Sequence, residues 1–322
     1  MGLDLLLDNL LSPPILFIIE EMHAVAVRSD LAVPESVGRL LSIYLLWAIG
    51  FKGGIALRAA GLSAEVLEPL IAAVVISAVV PIALFPLLKK RFGVDDACAI
   101  AAAYGSVSAV TFITAANFLD ARGVAYGGQM AAALALMESP AIIVALVMRG
   151  RMATAEKALP MRAVAHEALT AGPVFLLLAS LAIGYVAGPE RSASLKPFAN
   201  DIFYGVLVLF LLDAGIAAAR RMRDLVRAGW RPIAWAVVLS PIGAALGIAS
   251  GWLLDMTVGD TLLLAVLSAS ASYIAVPAAM RLTVPNANPG IYLPMALGVT
   301  FPLNVAVGIP VYLGITEWAL GS

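Results

Sequence analysis

Long apolar stretches alternate along this chain with short polar connections. They divide into ten segments, near residues 11–27, 35–51, 66–88, 95–118, 128–148, 167–187, 199–219, 232–254, 260–280 and 291–315. Each approaches the ~20 residues that a helix needs to cross hydrocarbon. The pattern also repeats: residues 172–315 laid over 13–148 match landmark after landmark, at an offset that drifts only between 159 and 164. Pro14-Ile15-Leu16-Phe17 answers Pro173-Val174-Phe175-Leu176, and Gly54-Ile55-Ala56 answers Gly215-Ile216-Ala217. Asp96 precedes Ser106 by the same ten residues that separate Asp260 from Ser270, and Glu138-Ser139-Pro140 lies opposite Thr300-Phe301-Pro302. Five segments per copy is an odd number, so the second copy must cross in the opposite sense. The expectation is an all-α membrane protein: ten transmembrane helices in two inverted five-helix repeats, 1–148 and 167–322, joined by a short cytoplasmic linker, 149–166. Such duplication is the usual mark of a secondary transporter, whose substrate site lies between the halves near the middle of the bilayer.

Composition agrees. Hydrophobic residues make up 62% of the chain and charged residues 13%, against about a quarter charged in soluble domains, and the mean hydropathy is +0.97. A net charge of -1 argues against nucleic acid as a partner, and the single cysteine, Cys98 in an alanine-rich run, excludes a disulfide framework and reads as packing. Asp4 and Asp8 stand where a cleavable signal would be positive. Lysine and arginine collect in cytoplasmic connections. With the N-terminus outside, 15 of the 20 fall inside, among them Lys89 to Arg91, Arg149, Arg151, Arg220 and Arg221. Lys52, Arg58, Arg122, Arg191 and Lys196 fall on the outer side, and both termini are then external.

Two segments make poor ideal helices, at matched places. Tyr104-Gly105-Ser106-Val107-Ser108-Ala109-Val110-Thr111 puts glycine and hydroxyls in the middle of segment four, and Ser268-Ala269-Ser270-Ala271-Ser272-Tyr273 does so in segment nine. Non-helical backbone at membrane depth survives only where protein or a watered cavity satisfies it, so the pair predicts broken, crossed helices around one cavity. Half-helix N-termini offer free N–H groups and partial positive charge, which suit a small anion. The competing reading is that small residues merely let helices pack closely.

Glu138 stands in the middle of segment five between apolar runs. An intramembrane carboxylate usually marks an ion pathway, and hard cations take oxygen ligands. Glu138, Ser106, Ser108 and Thr111 form the candidate sodium set; a protonated carboxyl bonded to a neighbouring helix is the alternative. Lys52 and Asp213 each precede a matched glycine by two residues, which predicts a structural ion pair or separate partners at opposite faces. Glu20, Glu21 and His23 interrupt segment one, and a locally shifted or tilted helix explains them better than a metal site, since His166 is the only other histidine.

Ala48-Ile49-Gly50-Phe51-Lys52-Gly53-Gly54, Met137-Glu138-Ser139-Pro140-Ala141, Pro285-Asn286-Ala287-Asn288-Pro289 and Leu297-Gly298-Val299-Thr300-Phe301-Pro302 resemble the cyanobacterial-type sodium-dependent bicarbonate symporters and their bacterial relatives. The resemblance covers nearly the whole chain, through the order and spacing of short motifs. It implies a homotrimer that takes up bicarbonate with sodium as coupling ion across the bacterial plasma membrane, without a cofactor. By position, Gly105, Ser106, Val107 and Ser108 correspond to the first anion loop and Ala269, Ser270, Ala271 and Ser272 to the second. Glu138 takes the place of an acidic sodium-site residue, which is aspartate in the cyanobacterial members. Tyr273 stands where those members have aspartate, and Ala109-Val110-Thr111 where they have Gly-Ser-Thr, so other small monovalent anions stay open. The linker is shorter than theirs, so control by a soluble PII-like trimer is not expected.

The chain offers no HExxH or GxSxG motif, which argues against an enzyme. A passive anion channel and a carrier of larger organic anions are the closer rivals.

Overall fold

The structure, a computed structural model, describes residues 33–61, 63–151 and 172–321, with Thr170 and single positions scattered through 7–31. Most of segment one, including Glu21, and most of the linker, including His166, lie outside the described residues. All regular structure among the described residues is helical. Helix α1, Glu35–Ala60, runs past the expected end at 51 and carries Lys52 and Arg58 within it, stopping at Gly61, whose φ of 77° suits only glycine. Helix α2, Ala64–Phe92, contains Pro69, Pro81 and Pro86.

Segment four is two pieces, α3, Val94–Gly105, and α4, Ala109–Arg122, separated at 106–108. After α5, Gln129–Gly150, come α6, Gly172–Ser192, and α7, Phe203–Ala228. Irregular turns join these last two, and the axes of Phe175–Leu195 and Pro197–Asp213 differ by 85°. Helix α8 is Trp230–Leu253, and segment nine is again two pieces, α9, Val258–Ala269, and α10, Ala275–Thr283. The last helix, α11, Pro289–Leu320, opens into wide π turns over Pro294–Thr300 and Asn304–Gly308.

Six spans are long and apolar enough to cross a membrane: α1, α2, α3 with α4, α5, α8 and α11, and the bent α6–α7 pair makes up to seven. The sequence reading gave ten. Most of segment one lies outside the described residues; of the rest, α6 and α7 meet at a bend, and the break leaves α9 only 12 residues long, too short to span alone.

Helices α1, α6 and α7 form one side of the molecule, packed against a bundle of α2, α3, α5, α8, α9 and α11. The two broken segments run through the interior; α3 and α9 are almost wholly buried. Each is pinned at its first turn by an aspartate. Asp96 accepts from the backbone N–H of Asn288 at 2.6 Å, and Asp260 accepts from the N–H of Gly127 at 2.7 Å and from Gln129 at 3.0 Å. In each case the aspartate on one broken segment holds the connection that leads into the closing helix of the other half of the chain.

Candidate functional site

The two breaks meet. The N–H of Ser108 donates to Ser270 Oγ at 2.9 Å, and the N–H of Ser272 donates to the Ala103 carbonyl at 2.9 Å. Ser108 caps α4, its Oγ accepting from the N–H of Thr111 at 3.2 Å and from Thr111 Oγ1 at 2.9 Å, as hydroxyl residues at N-caps do. Ser272 Oγ likewise accepts from the N–H of Val276, in the first turn of α10. Ser108 thus ends an extended stretch and starts a half-helix, while Ser272 lies two residues before Ile274, the N-cap of α10.

A narrow cavity lies against these loops, lined by Val107, Ser108, Ala109, Val110, Ser272 and Tyr273 on one side and by Ser42, Leu45, Leu46 and Phe210 on the other, with Glu138 at its base. Its free space holds about one or two water molecules. Ala109 and Val110 belong to the first turn of α4, whose N–H groups have no partner within the helix.

Glu138 lies two residues before Pro140 within α5. Ser77 Oγ of α2 donates to Met137 O at 2.6 Å, and Ser106 Oγ at the first break donates to Glu138 O at 3.4 Å. The Glu138 side chain is buried, at 7% exposure, yet its Oε2 has no hydrogen-bond partner. The Tyr273 hydroxyl, near Ser108, is also buried without a hydrogen bond of proper geometry. Buried polar atoms are nearly always paired, and these two unpaired ones line the same small cavity.

Of the expected residues, Glu138, Val107, Ser108 and Ser272 line the cavity. Ser106 and Thr111 do not, their hydroxyls being engaged as above. Gly105 is wedged between Pro81 and Ala141. Ser270 bridges the loops, while Ala269 and Ala271 are buried. Lys52 and Asp213 do not form the expected pair. Lys52 Nζ lies 3.9 Å from the centre of the Phe203 ring and faces Asp120, whereas Asp213 packs on Gly38 and feels the charge of Arg220. Glu20 and His23 are exposed, and no group of three or more His, Cys, Asp or Glu suited to a metal occurs among the described residues.

The sequence reading missed a buried polar knot behind the second break. Asn304 donates from Nδ2 to Ala269 O at 2.9 Å and accepts at Oδ1 from Ser240 Oγ at 2.7 Å and Tyr312 OH at 3.1 Å. Its equivalent in the first copy is apolar, so matching the repeats gave no signal for it; an asparagine in an apolar run did.

Long apolar helices make this a multi-pass membrane protein. Among curated proteins none matches the chain at a significant level. A family model described as the Na+-dependent bicarbonate transporter superfamily matches residues 13–317. With the match running over nearly its whole length, the chain belongs to the Na+-dependent bicarbonate transporter superfamily.

Proposed function

We propose that this protein is a sodium-coupled carrier that brings bicarbonate, or a closely similar small monovalent anion, across a bacterial inner membrane. In this reading its helices form two inverted five-helix repeats, both termini face outward and the protein works as a homotrimer. The observation that carries the proposal is the unpartnered Oε2 of Glu138 on the cavity between the two broken segments. A sodium ion beside Glu138 would neutralise the carboxylate and take an oxygen ligand from it. The first-turn N–H groups of Ala109 and Val110 then suit the anion. The narrowness of the cavity favours a small anion over a larger organic acid.

Transport would follow from a shift of α1, α6 and α7 against the bundle that carries the breaks, since the cavity is walled by both. One sodium with one monovalent anion moves no net charge, so the membrane potential, worth about 2.3 kcal/mol per charge per 100 mV, would contribute nothing and the sodium gradient everything.

The test is uptake of labelled bicarbonate into proteoliposomes, at a pH where the ion dominates carbon dioxide, with and without an inward sodium gradient. Uptake should require sodium, and Glu138→Gln should abolish that dependence in a protein that still purifies as a single species. Sodium-independent uptake by the unaltered protein would instead mean a channel, and retained sodium dependence in the variant would remove Glu138 from the ion site.

A further inference from the structure

A second cavity, of about 390 Å³, is lined by Lys52, Asn117, Asp120, Tyr126, Asn200 and Phe203 among others. It is built by the same two helices, α1 and α4, that wall the cavity at Glu138, one turn further along each. Ile113 lines the cavity at Glu138 and Ile49 and Phe112 line this second one, all three of them buried. It opens beside the 123–128 connection, the outer face in the topology that the positive charges favour.

Lys52 is the unusual group here. The two glycines that follow it bring α1 against its neighbours: a Cβ at Gly54 would overlap the Leu181 carbonyl of α6, and one at Gly53 would overlap Ala131 of α5. This close packing directs Lys52 between them, over the Phe203 ring. Its ammonium makes no hydrogen bond and no ion pair within 4.0 Å among the described residues, although a cation of this kind has three donors to satisfy. Asp120 faces it from α4, out of contact, and accepts from Tyr126 OH at 3.3 Å.

We propose that this cavity is an outer binding site for a small oxyanion that still carries a proton. Such an ion places its acceptor oxygens on Lys52 and donates its own O–H to Asp120, filling the gap between them. Bicarbonate has both halves of that pattern. Nitrate and chloride have only the acceptor half and meet the Asp120 carboxylate as like charges, so the pair discriminates among monovalent anions before they reach the narrow cavity. The inference rests on the anion-carrier reading and extends it to selectivity.

Cys98 is the only cysteine and is buried, so Cys98→Ala gives a background in which Asn117→Cys reports on this cavity in proteoliposomes. Its modification by an anionic methanethiosulfonate should be about 25-fold faster than by a cationic one, because one unit charge about 4 Å away in a water-like dielectric speeds the first and slows the second by about fivefold each. Lys52→Met should remove that preference and Lys52→Arg keep it. Bicarbonate should slow the reaction and nitrate at equal ionic strength should not, while Asp120→Asn should let nitrate protect as well. Equal protection by nitrate in the unaltered site, a preference that survives Lys52→Met, or a cysteine that does not react at all would overturn the proposal. Uptake measured on the same vesicles separates the two readings. Protection without uptake removes the carrier and keeps the site; uptake without protection does the reverse.

Discussion

Asn304 is fully buried, and both its oxygen and its nitrogen are engaged. Its partner Ala269 O is the last carbonyl before the second break, so one amide on α11 holds the point where α9 stops. Leucine has nearly the same size but leaves that carbonyl without a donor. An unsatisfied buried group costs about 1–3 kcal/mol, while Ser240 and Tyr312, 3.3 Å apart, can still satisfy each other. Asn304→Leu should therefore lower the thermal unfolding midpoint in detergent by an amount corresponding to roughly 2 kcal/mol. Because Ser240 acts through the same amide, adding Ser240→Ala to that variant should cost less than Ser240→Ala alone. Strict additivity would mean that the three residues do not act as one network.

At the scale of elements, α8 and α9 lie backbone to backbone because Gly243, Gly247 and Gly251 recur every four residues on one face of α8. A Cβ at Gly243 would overlap the Ser268 carbonyl, one at Gly247 the Ala265 backbone, and one at Gly251 the Thr261 side chain. Small residues at this spacing are the usual way for membrane helices to approach closely. Gly205 on α7, by contrast, has nothing within 4 Å of where its Cβ would be. Replacing glycine by alanine favours an exposed helix by about 1 kcal/mol, so the same substitution should have opposite signs: Gly205→Ala raises the unfolding midpoint and Gly247→Ala lowers it. Equal shifts would show that α8 and α9 are not in close contact. The four-residue spacing was legible in the sequence, but reading by repeat obscured it. The first copy builds the equivalent packing differently, with Pro81 of α2 against Gly105 at the end of α3.

Across the whole molecule, what could be read in advance was what local composition determines: where apolar runs begin and end, and where glycine and serine interrupt them at 104–111 and 268–273. Contacts between distant parts were harder. Lys52 and Asp213 occupy matched positions, but residues related by a pseudo-axis have no reason to touch; Lys52 is on Phe203, near the start of α7, and Asp213 is ten residues further along that helix. Asp96 and Asp260 were seen as matched landmarks, yet their role was hidden because their partners, Asn288 and Gly127, are backbone groups that any residue could supply. Those two clasps give the sharpest test of inversion. If the repeats cross in opposite senses, the Asp260 clasp lies on the outer face and the Asp96 clasp on the inner one. Ala125 and Asn286 are exposed beside them. In the Cys98→Ala background, Ala125→Cys should react with an impermeant maleimide only from outside sealed cells, and Asn286→Cys only after the inner face is opened. Labelling of both from one side would exclude an inverted pair, because both clasps would then belong to the same face of the membrane.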